Sequence, residues 1–369
     1  YLVRLPDNAV KERHQRIISA LQVSRYKMPT TNLIINMAPA DIKKEGAAYD
    51  LPLAIGIMAA AEKIKADKLP RFMLMGELSL DGTLQPIKGV LPMAIKAREL
   101  GFEGLIVPAA NAREAAVVNK LTVYGANNLK EVLRFFNDEI TLDPTVVNTR
   151  EEFYAHQSSF DFDFDEVKGQ ENVKRALEVA AAGSHNILLI GAPGSGKSML
   201  AKRLPSILPP LSLAESLETT KIHSVAGKLG SEGGLISVRP CRSPHHTISM
   251  VAMTGGGSYP QPGEISLAHN GILYLDELPE FQRQVLEVLR QPLEDRKISV
   301  SRIRFNVEYP ANFMLVASMN PCPCGYYTHP TKACVCSPGQ VQKYLNRISG
   351  PLLDRIDLQI EVIPVPFEK

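Results

Sequence analysis

One short segment, residues 191–198, restricts the fold of this chain more than any other part of the sequence. It reads Gly-Ala-Pro-Gly-Ser-Gly-Lys-Ser and matches the phosphate-binding pattern G-x-x-x-x-G-K-[ST]. The apolar run 186–190 before it predicts a buried strand, and residues 199–204 after it predict a helix. Strand, glycine-rich loop and helix in this order predict a parallel α/β domain that binds a nucleoside triphosphate.

The residue types of this loop indicate the role of each position. Glycines let backbone amides approach phosphate oxygens, and the following helix directs its positive end at the same anion. Lys197 is placed to neutralise the β- and γ-phosphates, and the Ser198 hydroxyl is placed to bind Mg²⁺. We expect the nucleotide to contact nine consecutive residues: Gly191, Ala192, Pro193, Gly194, Ser195, Gly196, Lys197, Ser198 and Met199.

Two further apolar runs end in polar residues that suit hydrolysis. Residues 271–275 lead into Asp276, a candidate ligand of the magnesium shell, and Glu277, a candidate to polarise the attacking water. Residues 313–319 lead into Asn320, which either senses the γ-phosphate or is an ordinary turn residue. Together with the phosphate loop, these runs predict hydrolysis of the nucleoside triphosphate and not only its binding.

Arg347 and Arg355 lie close to the end of the sequence. An arginine from a neighbouring subunit can stabilise the charge of the transition state, and both arginines are candidates for this finger. A surface salt bridge from Arg355 to Asp354 or Asp357 would account for that residue in another way.

Composition limits the classes of protein to be considered. The chain has 369 residues, which favours two domains, and a net charge of +2, so any nucleic-acid contact must be a local patch. No uncharged apolar run reaches the length of a membrane span, and the first residues lack a secretion signal, which predicts a cytoplasmic protein without a membrane partner. Five cysteines, four of them clustered, suit a reducing compartment.

Alternating helical and strand-like runs predict a mixed α/β fold in both halves. We expect an α/β domain at 1–138 that is truncated at its start, a linker at 139–160 and an ATPase core at 161–369. In the first half the expected strands are 32–37, 72–75 and 104–107, and the expected helices are 51–65, 89–100 and 129–137.

Residues 160–365 resemble the AAA+ ATPases, and within them the YifB/ComM group of magnesium-chelatase-like proteins. The segments that carry the resemblance are 168–171, the phosphate loop, 242–247, 255–257, 262–269, 275–280, 320–325 and 350–357. The resemblance implies a homo-oligomeric, hexameric ring that uses ATP and Mg²⁺, with Asn320 as sensor and Arg355 as the finger. Arg347 is the alternative finger. Members of the group continue into a helical lid, which is missing from this sequence, so we expect weak hydrolysis by this chain.

The first half resembles the proteolytic domain of Lon proteases, which places a Ser–Lys dyad on a ribosomal-S5-like fold. Residues 75–89 carry the likeness. The resemblance places Ala48 where the family has its nucleophile and Leu91 where it has its lysine. Neither side chain can attack a carbonyl or transfer a proton, so we expect an inactive protease domain.

Four cysteines, Cys322, Cys324, Cys334 and Cys336, flank a short loop that also holds His329. Four sulfurs within one loop are able to form a tetrahedral Zn²⁺ site. The paired C-x-C spacing requires a sharp bend, which Pro323 and Gly325 permit. Reduced thiols in a flexible loop are the alternative.

Residues 296–309 combine alternating apolar and polar residues with a basic centre, which predicts a β-hairpin. In the replicative-helicase branch that this region resembles, a hairpin projects into the ring and contacts the nucleic-acid backbone. Lys297, Arg302 and Arg304 are therefore candidates for DNA phosphate contacts. An exposed turn with solvated charges would have the same sequence pattern.

The resemblance favours a ring motor that moves along single-stranded or branched DNA, as a helicase or branch-migration translocase in the recombination of incoming DNA during natural transformation. A chelatase-type subunit that drives insertion of Mg²⁺ into a porphyrin is the first alternative. A protein-remodelling ATPase, with the N-terminal half as adaptor, is the second.

Overall fold

The computed structural model describes residues 7–30, 33–35, 46–157, 160–230, 234–257, 260–302, 305–327 and 329–364. The chain divides into two compact units. The first comprises residues 1–152 and 223–235, and the second comprises 153–222 and 236–369. The division at 152 lies inside the predicted linker, whereas nothing in the sequence indicated that 223–235 belongs with the first unit.

The first unit contains most of the elements expected in the first half. Their bounds are α1 Asp7–Val23, α2 Asp50–Ala60, β1 Phe72–Leu74, β2 Glu77–Leu78, β3 Leu84–Gln85, α3 Val90–Glu99, β4 Gly104–Pro108, α4 Ala109–Ala116, β5 Thr122–Ala126 and α5 Leu129–Phe136. Helix α6, Thr149–Ala155, spans the point of division and lies within the predicted linker. Of the strand predicted at 32–37, only 33–35 lies in the described residues, and there it does not form a strand.

A three-stranded parallel sheet of order β1–β4–β5 forms the centre of the first unit. Strand β4 is buried along its whole length, as its continuous apolar run requires. Helix α5 repeats apolar residues at helical spacing and buries Leu129, Val132, Leu133 and Phe136, while the Asn128 side chain accepts from its first turn. The apolar stripe packs with Leu21 and Met58 in one core.

The second unit holds the remaining elements. Their bounds are α7 Glu171–Gly183, β6 Ile187–Gly191, α8 Lys197–Arg203, α9 Leu213–Ala226, β7 Cys241–Arg242, α10 Met250–Thr254, β8 Gly255–Gly256, β9 Gln261–Pro262, α11 Glu264–Leu267, β10 Ile272–Leu275, α12 Arg283–Glu287, α13 Arg290–Asp295, β11 Lys297–Arg302, β12 Phe305–Pro310, β13 Met314–Met319, α14 Pro338–Leu345, α15 Gly350–Leu353 and β14 Leu358–Val362. The last residues of α9 fall in the segment assigned to the first unit.

A five-stranded parallel sheet of order β14–β6–β13–β10–β7 organises the second unit. Because its strands are parallel, the residues that follow β6, β10 and β13 meet at one edge. Those residues are the phosphate loop, the Asp276–Glu277 pair and Asn320. The strand order therefore assembles the candidate site from segments that are far apart in sequence.

Both faces of this sheet are covered, which explains why its central strands are apolar runs without alternation. One face packs against α7 and α8, through Leu177 and Leu200. The other packs against the helices around Leu286 and Leu352. The predicted mixed α/β fold with parallel sheets is thus confirmed. Among the helices of the described residues, none has the length and apolar character that a membrane crossing needs.

Candidate functional site

The phosphate loop leaves β6 at Gly191 and enters α8 at Lys197. A Cβ at Gly191 would lie 2.4 Å from the Val362 carbonyl oxygen, so only glycine fits there. Gly194 and Gly196 have φ values of +79° and +95°, which favour glycine. The Ser195 hydroxyl is buried and, within the described residues, has no hydrogen-bond partner, as expected of a loop shaped to receive an anion.

Lys197 points into this loop. Its Nζ donates to the carbonyl oxygens of Gly191 at 2.7 Å and Ala192 at 2.9 Å, and to Asn320 Oδ1 at 3.3 Å. Burial lowers the pKa of the Lys197 ammonium, against the opposing effect of the Asp276 and Glu277 carboxylates. A bound phosphate would supply the negative charge that compensates this desolvation, so the lysine suits an anionic ligand.

Asp276 lies at the centre of a hydrogen-bond network. Ser198 Oγ donates to its Oδ2 at 2.8 Å, and the Ser318 hydroxyl donates to its Oδ1. Burial raises the pKa of Asp276, but the hydrogen bonds from Ser318, Ser198, Tyr274 and the Glu277 amide outweigh it, so the pKa lies below its usual value. An ionised carboxylate beside a hydroxyl is an oxygen ligand pair that suits Mg²⁺.

Ser318 and Tyr274 were missed by sequence reasoning. Ser318 is completely buried in β13, and its Oγ lies 3.2 Å from the Tyr274 hydroxyl on the neighbouring strand β10. Burial raises the pKa of Tyr274 to about 12, which keeps its hydroxyl protonated. A lone serine within the apolar run before Asn320 was the available signal, because a buried hydroxyl needs a partner.

Glu277 adopts a left-handed backbone conformation with φ 53° and ψ 51°. Such a conformation is strained for a residue with a side chain and is often found at functional sites. Its side chain is 57% exposed, and Oε2 lies 3.7 Å from His246 Nδ1. The carboxylate is therefore accessible to water, beside a histidine that the sequence did not connect with it.

Both candidate finger arginines are held by carboxylates of their own chain. Arg355 forms an ion pair with Glu294, and its Nη1 donates to the Pro351 carbonyl oxygen at 3.1 Å. The alternative expectation, a salt bridge from Arg355 to Asp354 or Asp357, is wrong. Asp357 instead accepts a hydrogen bond from the backbone amide of Asn186. Arg347 Nη1 lies 3.0 Å from Glu280 Oε2 and 3.2 Å from the Pro279 carbonyl oxygen.

The predicted hairpin is present as the antiparallel pair β11–β12. Its Ile298 and Val300 are buried, so one face is fixed to the core. Lys297 lies at the base of the hairpin, where its Nζ is 3.0 Å from Glu308 Oε2. Because this carboxylate neutralises the lysine, Lys297 is a weaker candidate for a DNA phosphate contact. Arg302 ends β11, and Arg304 lies outside the described residues.

The four clustered cysteines converge. The Sγ atoms of Cys322, Cys324, Cys334 and Cys336 all lie within 4.8 Å of one another. Cys322 is completely buried and the other three are half-buried. The fifth cysteine, Cys241, is a free exposed thiol on β7.

The two positions at which we expect protease chemistry to be lost, Ala48 and Leu91, lie in the first unit. Leu91 is completely buried, and its backbone amide donates to the Glu114 carboxylate at 2.9 Å. Ala48 lies in a short 3-10 helix, Ala47–Tyr49. The first unit therefore has a methyl group and a buried isobutyl group at the two positions, and the Lon likeness itself remains a prediction.

Two family models match the chain. The model described as magnesium chelatase, subunit ChlI, matches residues 163–369, and a model described as subunit ChlI of Mg-chelatase matches residues 1–111. The second match lies in the first half of the chain, so models with a chelatase description match parts of both halves.

Individual relatives match over almost the whole chain. The competence protein ComM of Haemophilus influenzae is 45% identical over 99% of this chain and 71% of its own length. A YifB protein of Salmonella typhimurium is 46% identical over 99% of this chain and 70% of its length. The 38 kDa magnesium-chelatase subunit of Rhodobacter capsulatus is 26% identical over 43% of this chain and 50% of its own length.

The phosphate loop, the carboxylate pair after β10 and the polar residue after β13 make the second unit an ATPase domain of the AAA+ type. Together with the identities over almost its full length, these features show that the chain belongs to the YifB/ComM family of magnesium-chelatase-like proteins.

Proposed function

We propose that this protein hydrolyses ATP as a subunit of a homo-oligomeric ring that moves along DNA. The observation that supports hydrolysis most directly is the continuous contact from Lys197 to Asn320 and from Ser198 to Asp276, with Glu277 exposed beside it. Binding, metal-holding and water-activating groups therefore lie at one edge of one sheet.

Each of these side chains has a distinct task in the proposed reaction. Lys197 exchanges its carbonyl partners for phosphate oxygens when nucleotide enters the loop. Ser198 and Asp276 would hold Mg²⁺, and the bound ion would supply neutralisation of charge on the phosphates. Glu277 orients water and accepts its proton, and Asn320 connects the occupied loop to β13. The Ser318 hydroxyl keeps Asp276 ionised and correctly oriented.

A ring supplies the remaining group, an arginine from the neighbouring subunit. Arg355 is our first candidate and Arg347 our second, on the family resemblance. To act on a neighbour, Arg355 must leave Glu294, or Arg347 must leave Glu280. These ion pairs suit arginines that exchange one carboxylate for a phosphate when subunits assemble. The hexameric ring size rests on the resemblance.

We propose that the ring moves along DNA because the β11–β12 hairpin has a core-packed face and Arg302 ends β11, with Arg304 two positions later in the sequence. A relative whose name is competence protein also favours a role with incoming DNA. Branch migration or helicase activity during recombination is the form of work that the family resemblance implies.

A chelatase-type motor is the second candidate. Both family models carry a chelatase description, and chelatase subunits match 43% of the chain. In that case the ring would act on a protein partner and not on DNA.

The two candidates are separated by measuring ATP turnover of the purified protein with no DNA, with single-stranded DNA and with forked DNA. A DNA motor requires stimulation that declines steeply as salt rises, because phosphate contacts release counterions. The Lys197→Ala variant provides the background rate. Equal turnover in all three conditions at low salt would remove the DNA proposal and leave the chelatase-type candidate.

A further inference from the structure

The proposed nucleotide chemistry uses none of the four clustered cysteines, yet their geometry is specific. Cys322 Sγ lies 3.3 Å from Cys324 Sγ and 3.7 Å from Cys334 Sγ, and Cys324 Sγ lies 3.5 Å from Cys334 Sγ. With Cys336, all four sulfurs fit within 4.8 Å. Two pairs separated by a loop thus point at one common centre.

These separations match a mononuclear metal site. A tetrahedron with metal–sulfur bonds of about 2.3 Å, the usual zinc–thiolate length, has sulfur–sulfur edges of about 3.8 Å. Disulfide formation would shorten two of the separations to about 2.05 Å, and all four thiols are free. A cluster of several irons would hold the four sulfurs further apart, since each would bind a different iron.

The backbone around Cys322 is built for this convergence. Gly325 has a φ of +83°, and its amide donates to the Cys322 carbonyl oxygen at 2.9 Å, which makes the sharp turn that a C-x-C pair needs. The Tyr327 amide donates to Cys322 Sγ at 3.3 Å. This amide fixes the position of the buried Cys322 sulfur at the common centre.

We propose that one structural Zn²⁺ is bound by Cys322, Cys324, Cys334 and Cys336. The loop closed by this ion then positions Asn320 and the phosphate loop, which form two sides of the nucleotide site. On binding, four zinc–sulfur bonds form and the protons of the thiols pass to solvent. No oxidant or reductant takes part.

The positioning role rests on direct packing of the cysteine loop against the site. A Cβ at Gly325 would lie 2.5 Å from Pro193 Cδ in the phosphate loop and 3.8 Å from Asn320 Cγ. Cys322 itself is two residues from Asn320. Tyr327 and His329 line a cavity of about 390 Å³ together with Gly191. This cavity adjoins the first residues of the phosphate loop, Gly191 and Ala192, so the cysteine loop borders the nucleotide site on that side.

Metal analysis of the purified protein tests the site itself. We expect about one zinc per chain, loss of zinc in Cys322→Ser and Cys336→Ser, and full retention in the control Cys241→Ser, since Cys241 lies outside the cluster. Iron in place of zinc, a mass that indicates two disulfides, or zinc loss in the Cys241 variant equal to that in the others would overturn the proposal.

A second measurement does not depend on the variants folding. Titration of the wild-type protein with a mercurial that reacts with thiols, in the presence of a zinc-sensitive dye, should release about one zinc as the cluster thiols react. Release of no zinc from protein that still reacts at five thiols would contradict the site.

The positioning role depends on the proposed nucleotide site and is measured separately, with a fluorescent adenine nucleotide. Zinc-depleted protein that keeps its circular-dichroism spectrum should bind about fivefold or more weakly, the lower range of coupling between linked sites, and added Zn²⁺ should restore affinity. Unchanged affinity would refute the positioning role while leaving the metal site. Zinc binding without any nucleotide binding would refute the proposed function alone.

Discussion

The Ser198 hydroxyl donates a hydrogen bond of 2.8 Å to Asp276 Oδ2 across 78 positions of sequence. This bond joins the first turn of α8 to the end of β10, two elements that meet only because β6 and β10 are both parallel neighbours of β13. The two oxygens that this bond joins are also the ones that we propose to bind Mg²⁺.

Lys197→Ala should weaken binding of adenine nucleotides by about 100-fold, because the phosphates lose a charge-assisted donor in a buried site. Calorimetric titration with Mg²⁺ present measures this. Lys202→Ala, which removes an exposed lysine from the same helix, is the matched control and should bind as wild type does. Equal affinity of the two variants would disprove the role of Lys197.

Glu277→Gln should bind ATP with near wild-type affinity and lower kcat by about 10²–10³-fold, since the amide cannot accept the proton of water. Single-turnover hydrolysis measures the chemical step. Glu178→Gln, on the surface of α7, controls for loss of a carboxylate. Normal turnover by the Glu277 variant would exclude its role as the base.

Ser318→Ala should raise the Mg²⁺ concentration needed for half-maximal ATP turnover several-fold, because Asp276 loses a hydrogen bond that lowers its pKa. A carboxylate with a depressed pKa contributes stability above its unfolded pKa and loses it as pH falls through the folded value. The acid-dependent loss in the free energy of unfolding should therefore be smaller in the variant, because the folded pKa of Asp276 then lies closer to the unfolded value. Identical acid titration curves would contradict this.

Arg355→Ala and Lys197→Ala should each be inactive alone but partly active when mixed, if Arg355 acts on the neighbouring subunit. In a mixed ring, a site with an intact Lys197 faces a subunit with an intact Arg355. The matched mixture with Arg347→Ala tests the second candidate. If ATP turnover recovers in just one of the two mixtures, the arginine replaced in that mixture is the finger. If turnover recovers in neither, the result argues against an arginine that acts in trans.

Arg302→Ala combined with Arg304→Ala should weaken DNA binding equally for all sequences and lower the salt slope by about 2, with basal ATP turnover retained. Lys297→Ala is the control and should have a smaller effect, because Glu308 already neutralises that lysine. Fluorescence anisotropy at several salt concentrations measures both variants. A loss that depends on base sequence would mean direct readout in place of phosphate contact.

Much of the site was predictable because its motifs are contiguous. The glycines, Lys197 and Ser198 lie within eight residues, and the Asp276–Glu277 pair directly follows its strand. Ser318, Tyr274 and His246 escaped prediction because their relevance depends on side chains from other strands and loops. The partner of Arg355 was predicted wrongly for the same reason, since Glu294 belongs to a distant helix.

The sequence by itself determined the mixed α/β fold and the motifs of the candidate nucleotide site, because each depends on residues that are adjacent or regularly spaced. Only the tertiary structure decided that four sulfurs share one centre, that Ser318 orients Asp276 and that 223–235 belongs with the first unit. The sulfur cluster depends on the conformation of one loop, and the other two relationships depend on packing between segments far apart in the chain. Local periodicity carries no information about either.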